Sequence, residues 1–329
     1  MTPYRPRIGL ALGSGVARGW AHIGVLHALA RAGIRPDIVV GTSIGALVGG
    51  VYLANKLDVL EDWARSLNKR SLWRYLDVRL SGGGLIGGSR LNAILDANLG
   101  GIMVESLDRR FAAVATDLGS GHEVWLREGP LALALRASYA LPGVFSPLQH
   151  DGGWLVDGAL VNPVPVSVCR ALGARLVIAV NLNADVFGRS RAQNPARVAE
   201  AELLDGPAGG GFMGALNPQR LLARKLFGRD DGAPSLFTVM VDSLSIIQDR
   251  VTRSRLAGDP PDVTIAPRLG DVGLLDFDRA AEMIEEGEAA VERALPFLRE
   301  AMSVLGMRFA QESAPPDARR VANWETATD

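Results

Sequence analysis

Residues 41–45 of this chain read Gly-Thr-Ser-Ile-Gly. A serine between two such glycines can serve as a nucleophile in acyl transfer. A strand that turns sharply into a helix at the serine lifts its hydroxyl onto a strained, accessible turn. The flanks suit that geometry. Ile38-Val39-Val40 is apolar and β-branched, fit for a strand, and the run from Ala46 onward is fit for a helix. Gly41 and Gly45 carry no Cβ to collide across so tight a turn. The helix N-terminus beneath the serine favours developing negative charge. Ile38 to Asn55 holds no charged residue, so a membrane span must be weighed. Glycines at 41, 45, 49 and 50 and the polar Thr42-Ser43 favour a buried strand–turn–helix unit instead.

Such a serine needs a base, donors for an oxyanion and a dry pocket. The chain has four histidines. His22 and His27 fall on the first helix and His122 at a turn. His150 lies downstream of the serine, where a triad histidine could fall, but nothing in its local pattern marks it. No histidine follows it, whereas α/β-hydrolases place theirs last in the order Ser, Asp, His. A carboxylate acting directly as base therefore comes into consideration. Asp157 follows the apolar Trp154-Leu155-Val156 and precedes Gly158, a strand end of the kind where parallel sheets carry their sites. Asp151, in an Asp-Gly-Gly turn ahead of that strand, is its rival. Either would need partial desolvation to raise its pKa. The loop Gly13-Ser-Gly-Val-Ala-Arg-Gly19 follows an apolar strand and opens a helix, so its backbone N–H groups can converge on an anion. Its glycines are spaced one residue too long for a dinucleotide fingerprint, and no acidic residue follows at the right strand end.

The elements that must position these groups read as an α/β chain. Strands are expected at Ile8–Leu12, Ile38–Val40, Phe111–Leu118, Glu123–Leu126, Trp154–Val156, Arg175–Leu182 and Val263–Pro267. Helices are expected through Ile23, Leu26 and Ala30 up to Gly33, and over Leu131–Tyr139, Val164–Leu172, Leu236–Leu256 and Phe277–Met302. The last uses Ile284, Val291, Leu295 and Leu298 as its core face. The glycine-rich stretch 81–88 reads as a flexible loop. Strands alternating with helices predict a mainly parallel sheet covered by helices.

Composition bounds the rest. The 329 residues are 48% hydrophobic and 22% charged, ample for a globular core. A net charge of -1 supplies no field to recruit nucleic acid. The single cysteine, Cys169, reads as a structural thiol and suits a cytoplasmic compartment. No secretory leader is expected, because the first apolar stretch is broken by Gly13, Ser14, Gly15 and Arg18. Residues 183–234 differ in character, with charge runs, Gly209-Gly210-Gly211 and prolines, and read as a flexible insertion or lid. Within them Asn217-Pro218 starts and Gly228 stops a short helix. There Arg220, Arg224 and Lys225 interleave with Leu222, Leu226 and Phe227, a pattern that can lie on an anionic lipid surface or pack its leucines on the body.

Three blocks in this order resemble the patatin-like phospholipase family, including its neuropathy-target-esterase-like branch. They are Leu12 to Leu26, Gly41 to Gly45, and Val156-Asp-Gly-Ala-Leu-Val-Asn-Pro-Val-Pro165. A fourth, Ala137 to Pro147, is similar to the family's segment before its aspartate. The resemblance implies a three-layer α/β/α sandwich, a patatin-like variant of the α/β-hydrolase architecture. The length fits one catalytic domain over 6–305, and the polar composition of 306–329 reads as a disordered tail. The resemblance implies a Ser–Asp dyad without histidine, with Ser43 as nucleophile and Asp157 as base. The oxyanion would be held by the N–H groups of Gly15 and Val16, with Arg18, in a loop completed by Gly13, Ser14 and Gly19. Where most members carry only glycines, this chain has Ser14 and Val16, and Val16 narrows the loop's freedom. The expected activity is hydrolysis of phospholipid or lysophospholipid esters at a peripherally contacted membrane, with no cofactor or metal. A soluble carboxylesterase or thioesterase, and a non-catalytic regulatory protein on the same scaffold, are the alternatives.

Overall fold

The computed structural model describes residues 6–68, 84–86, 89–185 and 236–307. In chain order these form β1 (Ile8–Leu12), α1 (Ala21–Arg31), β2 (Ile38–Thr42), α2 (Ile44–Leu53), α3 (Leu57–Ser66), β3 (Gly84–Ile86), α4 (Ser89–Leu99), β4 (Arg110–Asp117), β5 (Glu123–Leu126), α5 (Leu131–Ser138), β6 (Gly143–Phe145), β7 (Leu148–His150), β8 (Gly153–Asp157), α6 (Val166–Ala171), β9 (Leu176–Val180), α7 (Leu236–Gly258), β10 (Val263–Ile265) and α8 (Ala280–Val304).

Eight of these strands share one sheet, ordered β10-β9-β1-β2-β4-β8-β7, with β5 also on β4. β10, β9, β1, β2 and β4 run parallel, and the strands beyond are antiparallel. Every residue of β1, β2 and β9 is buried, which is why those strands read as unbroken apolar runs. Alternate side chains serve two cores. Leu10, Leu12, Val39, Phe111 and Ile178 join α1, α2, α5 and α8 on one face. Ala11, Val40, Ala112, Val114 and Val177 join Val166, Val168 and Cys169 of α6 and Leu256 of α7 on the other. This is the three-layer α/β/α sandwich with a mainly parallel sheet that the sequence leads one to expect.

The register of β4 does the work that matters for the site. Its residues 110–114 pair with β2, ending at Thr42↔Val114. Its residues 115–117 pair with β8, beginning at Ala115↔Asp157. β5 pairs with 113–116 and so occupies the other edge. β2 and β8 therefore lie end to end along one edge of β4, and the last residue of each faces the other.

Several expectations shift in detail. Within the expected loop 81–88, residues 84–86 form β3, paired in parallel with β6. The strand expected to Pro267 stops at Ile265, and a 3-10 turn over Phe277–Arg279 precedes α8. Of the expected insertion 183–234, only Asn183, Ala184 and Asp185 are described, and they belong to the body: Asp185 accepts from the N–H groups of Leu269 and Gly270. The remainder, with Arg220, Leu222, Arg224, Lys225, Leu226 and Phe227, lies outside the described residues, as does the tail from 308. The uncharged run Ile38 to Asn55 is β2 and α2, and no helix among the described residues is long and apolar enough to cross a membrane.

Candidate active site

β2 enters the sheet's C-terminal edge and turns directly into α2 at Ser43, which adopts φ 58° and ψ -125°. A non-glycine residue there is strained and persists only where its surroundings hold it. They do. The Ser43 N–H donates to Ser138 Oγ at 2.9 Å, and that hydroxyl donates to Val114 O at 2.6 Å. The N–H groups of Ala46 and Leu47 close on Ser43 O. The flanking glycines are sterically required: a Cβ at Gly41 would overlap the Ala46 backbone, and one at Gly45 would overlap the Leu12 carbonyl.

Ser43 Oγ donates to Asp157 Oδ2 at 2.6 Å. The second carboxylate oxygen, Oδ1, accepts from the Ala159 N–H at 2.8 Å. The Asp157 backbone is fastened by its N–H to Ala140 O and by the Thr116 hydroxyl to its carbonyl. Ser43 is 7% exposed and Asp157 1%. Burial pushes the Asp157 carboxyl up to about 7, opposed by the hydrogen bonds from Ser43 and Ala159. The group is thus half ionised near neutrality, where a carboxylate general base is best matched to its task.

The loop after β1 lies beside this pair, at the point where strand order departs to both sides of β1, the ligand crevice of such sheets. Its outer groups are tied down. Gly13 N–H donates to Val180 O, Ser14 N–H to Pro163 O and Ala17 N–H to Leu274 O. His22 Nε2 meets Gly13 O at 2.7 Å. Gly19 backs onto the Ile44 side chain, and Gly45 onto Gly13 O, so loop and elbow are in direct contact. The N–H groups of Gly15 and Val16, by contrast, donate to no acceptor among the described residues. Val16 has φ 52°, which a β-branched side chain rarely adopts. Donors left unpaired in a held loop are the equipment of an anion site.

Arg18 is buried. Its guanidinium donates twice to Val272 O, at 2.9 and 2.7 Å, and to Asn183 Oδ1 at 3.2 Å. It fastens the loop to the segment ahead of α8. The Ser14 hydroxyl is buried and has no hydrogen-bond partner among the described residues. His150 lies on β7, 3.4 Å from Asp151, and both line a groove of about 440 Å³ with Asp117, Trp125 and Arg127. The Ser43 hydroxyl bonds Asp157 and neither of these. Cys169 is buried behind β1 and its thiol is pushed up by burial, as suits a structural role. Among the described residues no group of His, Cys, Asp and Glu could hold a metal ion.

Sequence reasoning missed two residues. Ser138 ends an apolar helix, and its one sign was a lone hydroxyl in Leu-Ala-Leu-Ala-Leu-Arg-Ala-Ser. His22 was placed on α1 without a role. It is fully buried, and desolvation lowers its pKa to about 4, so it is neutral and can donate from Nε2 to Gly13 O.

The patatin-like phospholipase family model matches residues 10–170. An uncharacterized NTE family protein of Mycobacterium tuberculosis is 36% identical over 332 residues, covering 88% of this chain and 91% of that protein. Lysophospholipase nte1 of Emericella nidulans is 33% identical over 180 residues, covering 53% of this chain and 12% of that protein. Among solved structures, VipD from Legionella pneumophila matches with a TM-score of 0.50 at 14% identity, covering 89% of this chain and 67% of that one. At that identity the likeness is one of fold.

Proposed function

Because the chain belongs to the patatin-like phospholipase family, we propose that it is a serine hydrolase cleaving the acyl esters of phospholipids or lysophospholipids through a Ser43–Asp157 dyad. The observation that carries the reading is the buried 2.6 Å hydrogen bond from Ser43 Oγ to a carboxylate whose pKa is raised to about 7. Ser43 attacks the ester carbonyl while its proton passes to Asp157 Oδ2. The tetrahedral oxyanion is held by the N–H groups of Gly15 and Val16. Collapse expels the alcohol, which takes the proton from Asp157, and leaves an acyl-serine. A water then gives its proton to Asp157 and attacks the acyl carbon, and the fatty acid leaves as the proton returns to Ser43.

The other site residues act through these. Ser138 holds the Ser43 N–H, His22 the Gly13 carbonyl, and Arg18 the register between the loop and residues 272–274. Residues 6–305 form one catalytic domain in this reading, with the segment from 186 to 234 inserted in it. The scheme uses no cofactor, and contact with the lipid surface is peripheral.

The test is labelling by a fluorophosphonate probe together with fatty-acid release from phosphatidylcholine and lysophosphatidylcholine vesicles. Wild-type protein labels and releases fatty acid, and Ser43→Ala does neither. Equal labelling of Ser43→Ala would remove the nucleophile assignment. Labelling with turnover of short soluble esters only would make the protein a general esterase.

A further inference from the structure

Val16 belongs to two environments at once. Its N–H is one of two donors in the loop after β1 that meet no acceptor among the described residues. Its side chain packs against a small apolar cluster of Leu141, Val144 and Leu274, together with Met240 and Leu244 from the first half of α7. Two of these residues adjoin backbone groups of the site. Leu141 follows Ala140, whose carbonyl receives the Asp157 N–H, and Leu274 itself accepts the Ala17 N–H. Helix α7 lies directly on the 141–145 segment: Gly143 has φ 78°, and a Cβ there would overlap the Met240 methyl.

The oxygen and the first methylene of an acyl group are bonded to the same carbonyl carbon. A residue whose N–H holds that oxygen therefore stands beside the start of the acyl chain. Val16, Met240 and Leu244 remain only partly buried, so apolar surface beside the loop after β1 stays in contact with water. A hydrocarbon chain laid over it removes that surface from water. Met240 is unbranched and adaptable, suited to a chain of variable length. Val16 keeps its strained φ of 52° because its isopropyl group is seated in this cluster and Ala17 and Arg18 are clamped to residues 272–274.

We infer that the cluster of Leu141, Val144, Leu274, Met240 and Leu244 receives the substrate's acyl chain, and that Val16, contacting oxygen and chain together, sets selectivity at the carbon next to the carbonyl. This rests on Ser43 being the nucleophile.

The experiment compares wild type, Val16→Gly and Met240→Trp by fluorophosphonate labelling, thermal melting and kcat/KM on two ester series. One series is straight-chain acyl esters from butyryl to palmitoyl. The other pairs straight with α-methyl-branched acyl groups. Val16→Gly relieves the left-handed strain and gives up the isopropyl contact, and the melt shows that it remains folded at the assay temperature. It raises the ratio of branched to straight-chain kcat/KM by about tenfold. Met240→Trp lowers the ratio of palmitoyl to butyryl kcat/KM by about tenfold. Labelled variants with both ratios unchanged overturn the inference and leave the Ser43 reading standing. Wild-type protein that does not label removes that reading, and this one with it.

Discussion

Two neighbouring strands end in the same way for opposite purposes. β1 runs into α1 through residues 13–19, and β2 runs into α2 at Ser43. Each turn holds one non-glycine residue in the left-handed region, Val16 at φ 52° and Ser43 at φ 58°. At the elbow the backbone is saturated: the Ser43 N–H is taken by Ser138 and its carbonyl by Ala46 and Leu47, so the side chain is what the turn presents. In the loop after β1 the outer N–H groups are taken and those of Gly15 and Val16 are left over, so the backbone is what that turn presents. In the proposed mechanism a parallel sheet thus makes a nucleophile and an anion site from one local design, and which is made depends on where the hydrogen bonds run out.

The sharpest way to break the elbow's half of this contrast is to remove its acceptor. Asp157→Asn keeps the shape of the side chain and loses the base, and kcat falls about ten-thousand-fold. In wild type, kcat/KM rises with pH through an apparent pKa near 7, because the base must be ionised, and the variant's residual activity lacks that limb. The same substitution stabilises the fold at high pH. Asp157 has its folded pKa raised from 3.8 to about 7, so wild-type stability declines as pH rises across that interval, by about 4 kcal/mol in all. A urea titration at pH 8 shows the variant unfolding at higher denaturant.

Next in size is the seam where the two turns touch. Gly45→Ala pushes a methyl into the Leu12 carbonyl and toward Gly13 O. It destabilises the fold by about 3 kcal/mol and displaces both turns together. The lowered melting temperature is accompanied by lost labelling of Ser43 in protein that is still folded. Normal labelling at an unchanged melting temperature would mean that the turns are independent.

The smallest effect probes the loop's half. His22 has its folded pKa lowered from 6.5 to about 4, so its contribution is fully present above pH 6.5 and is lost as pH falls toward 4, by about 3 kcal/mol. Asp157 works in the opposite direction over nearly the same interval, and the two offset one another in wild type. His22→Gln keeps a donor for Gly13 O and removes the titration. Its stability therefore rises more steeply on acidification than that of wild type, as read from denaturation midpoints between pH 4 and 7. Identical pH dependence would show that His22 does not titrate on unfolding in this range.

Much of this was legible beforehand, for identifiable reasons. β1, β2 and β9 are buried on both faces, so their apolar runs are unbroken and short enough to be strands. The elbow announces itself because its glycines are a steric requirement, and Asp157 because it closes a strand. The strands β3, β6 and β7 were invisible: each has three residues, and β3 pairs with β6, far along the chain. Ser138 could not be found as a partner of Ser43, because a hydroxyl that meets a backbone N–H 95 residues away leaves no local pattern. Arg18 was expected at the oxyanion by resemblance, and its bonds to Val272 and Asn183 are likewise long-range. A motif shows which atoms can react, while tertiary contacts decide which remain free.

The end-to-end meeting of β2 and β8 has a consequence in time. Ser43 and Asp157 are separated by 114 residues. At the usual pace of synthesis, Asp157 leaves the ribosome on the order of ten seconds after Ser43. Throughout that delay the serine hydroxyl lacks the Asp157 carboxylate it bonds in the folded protein. In the proposed mechanism, docking of β8 along β4 brings the carboxylate to the hydroxyl, so the pair is assembled only once β8 has joined the sheet.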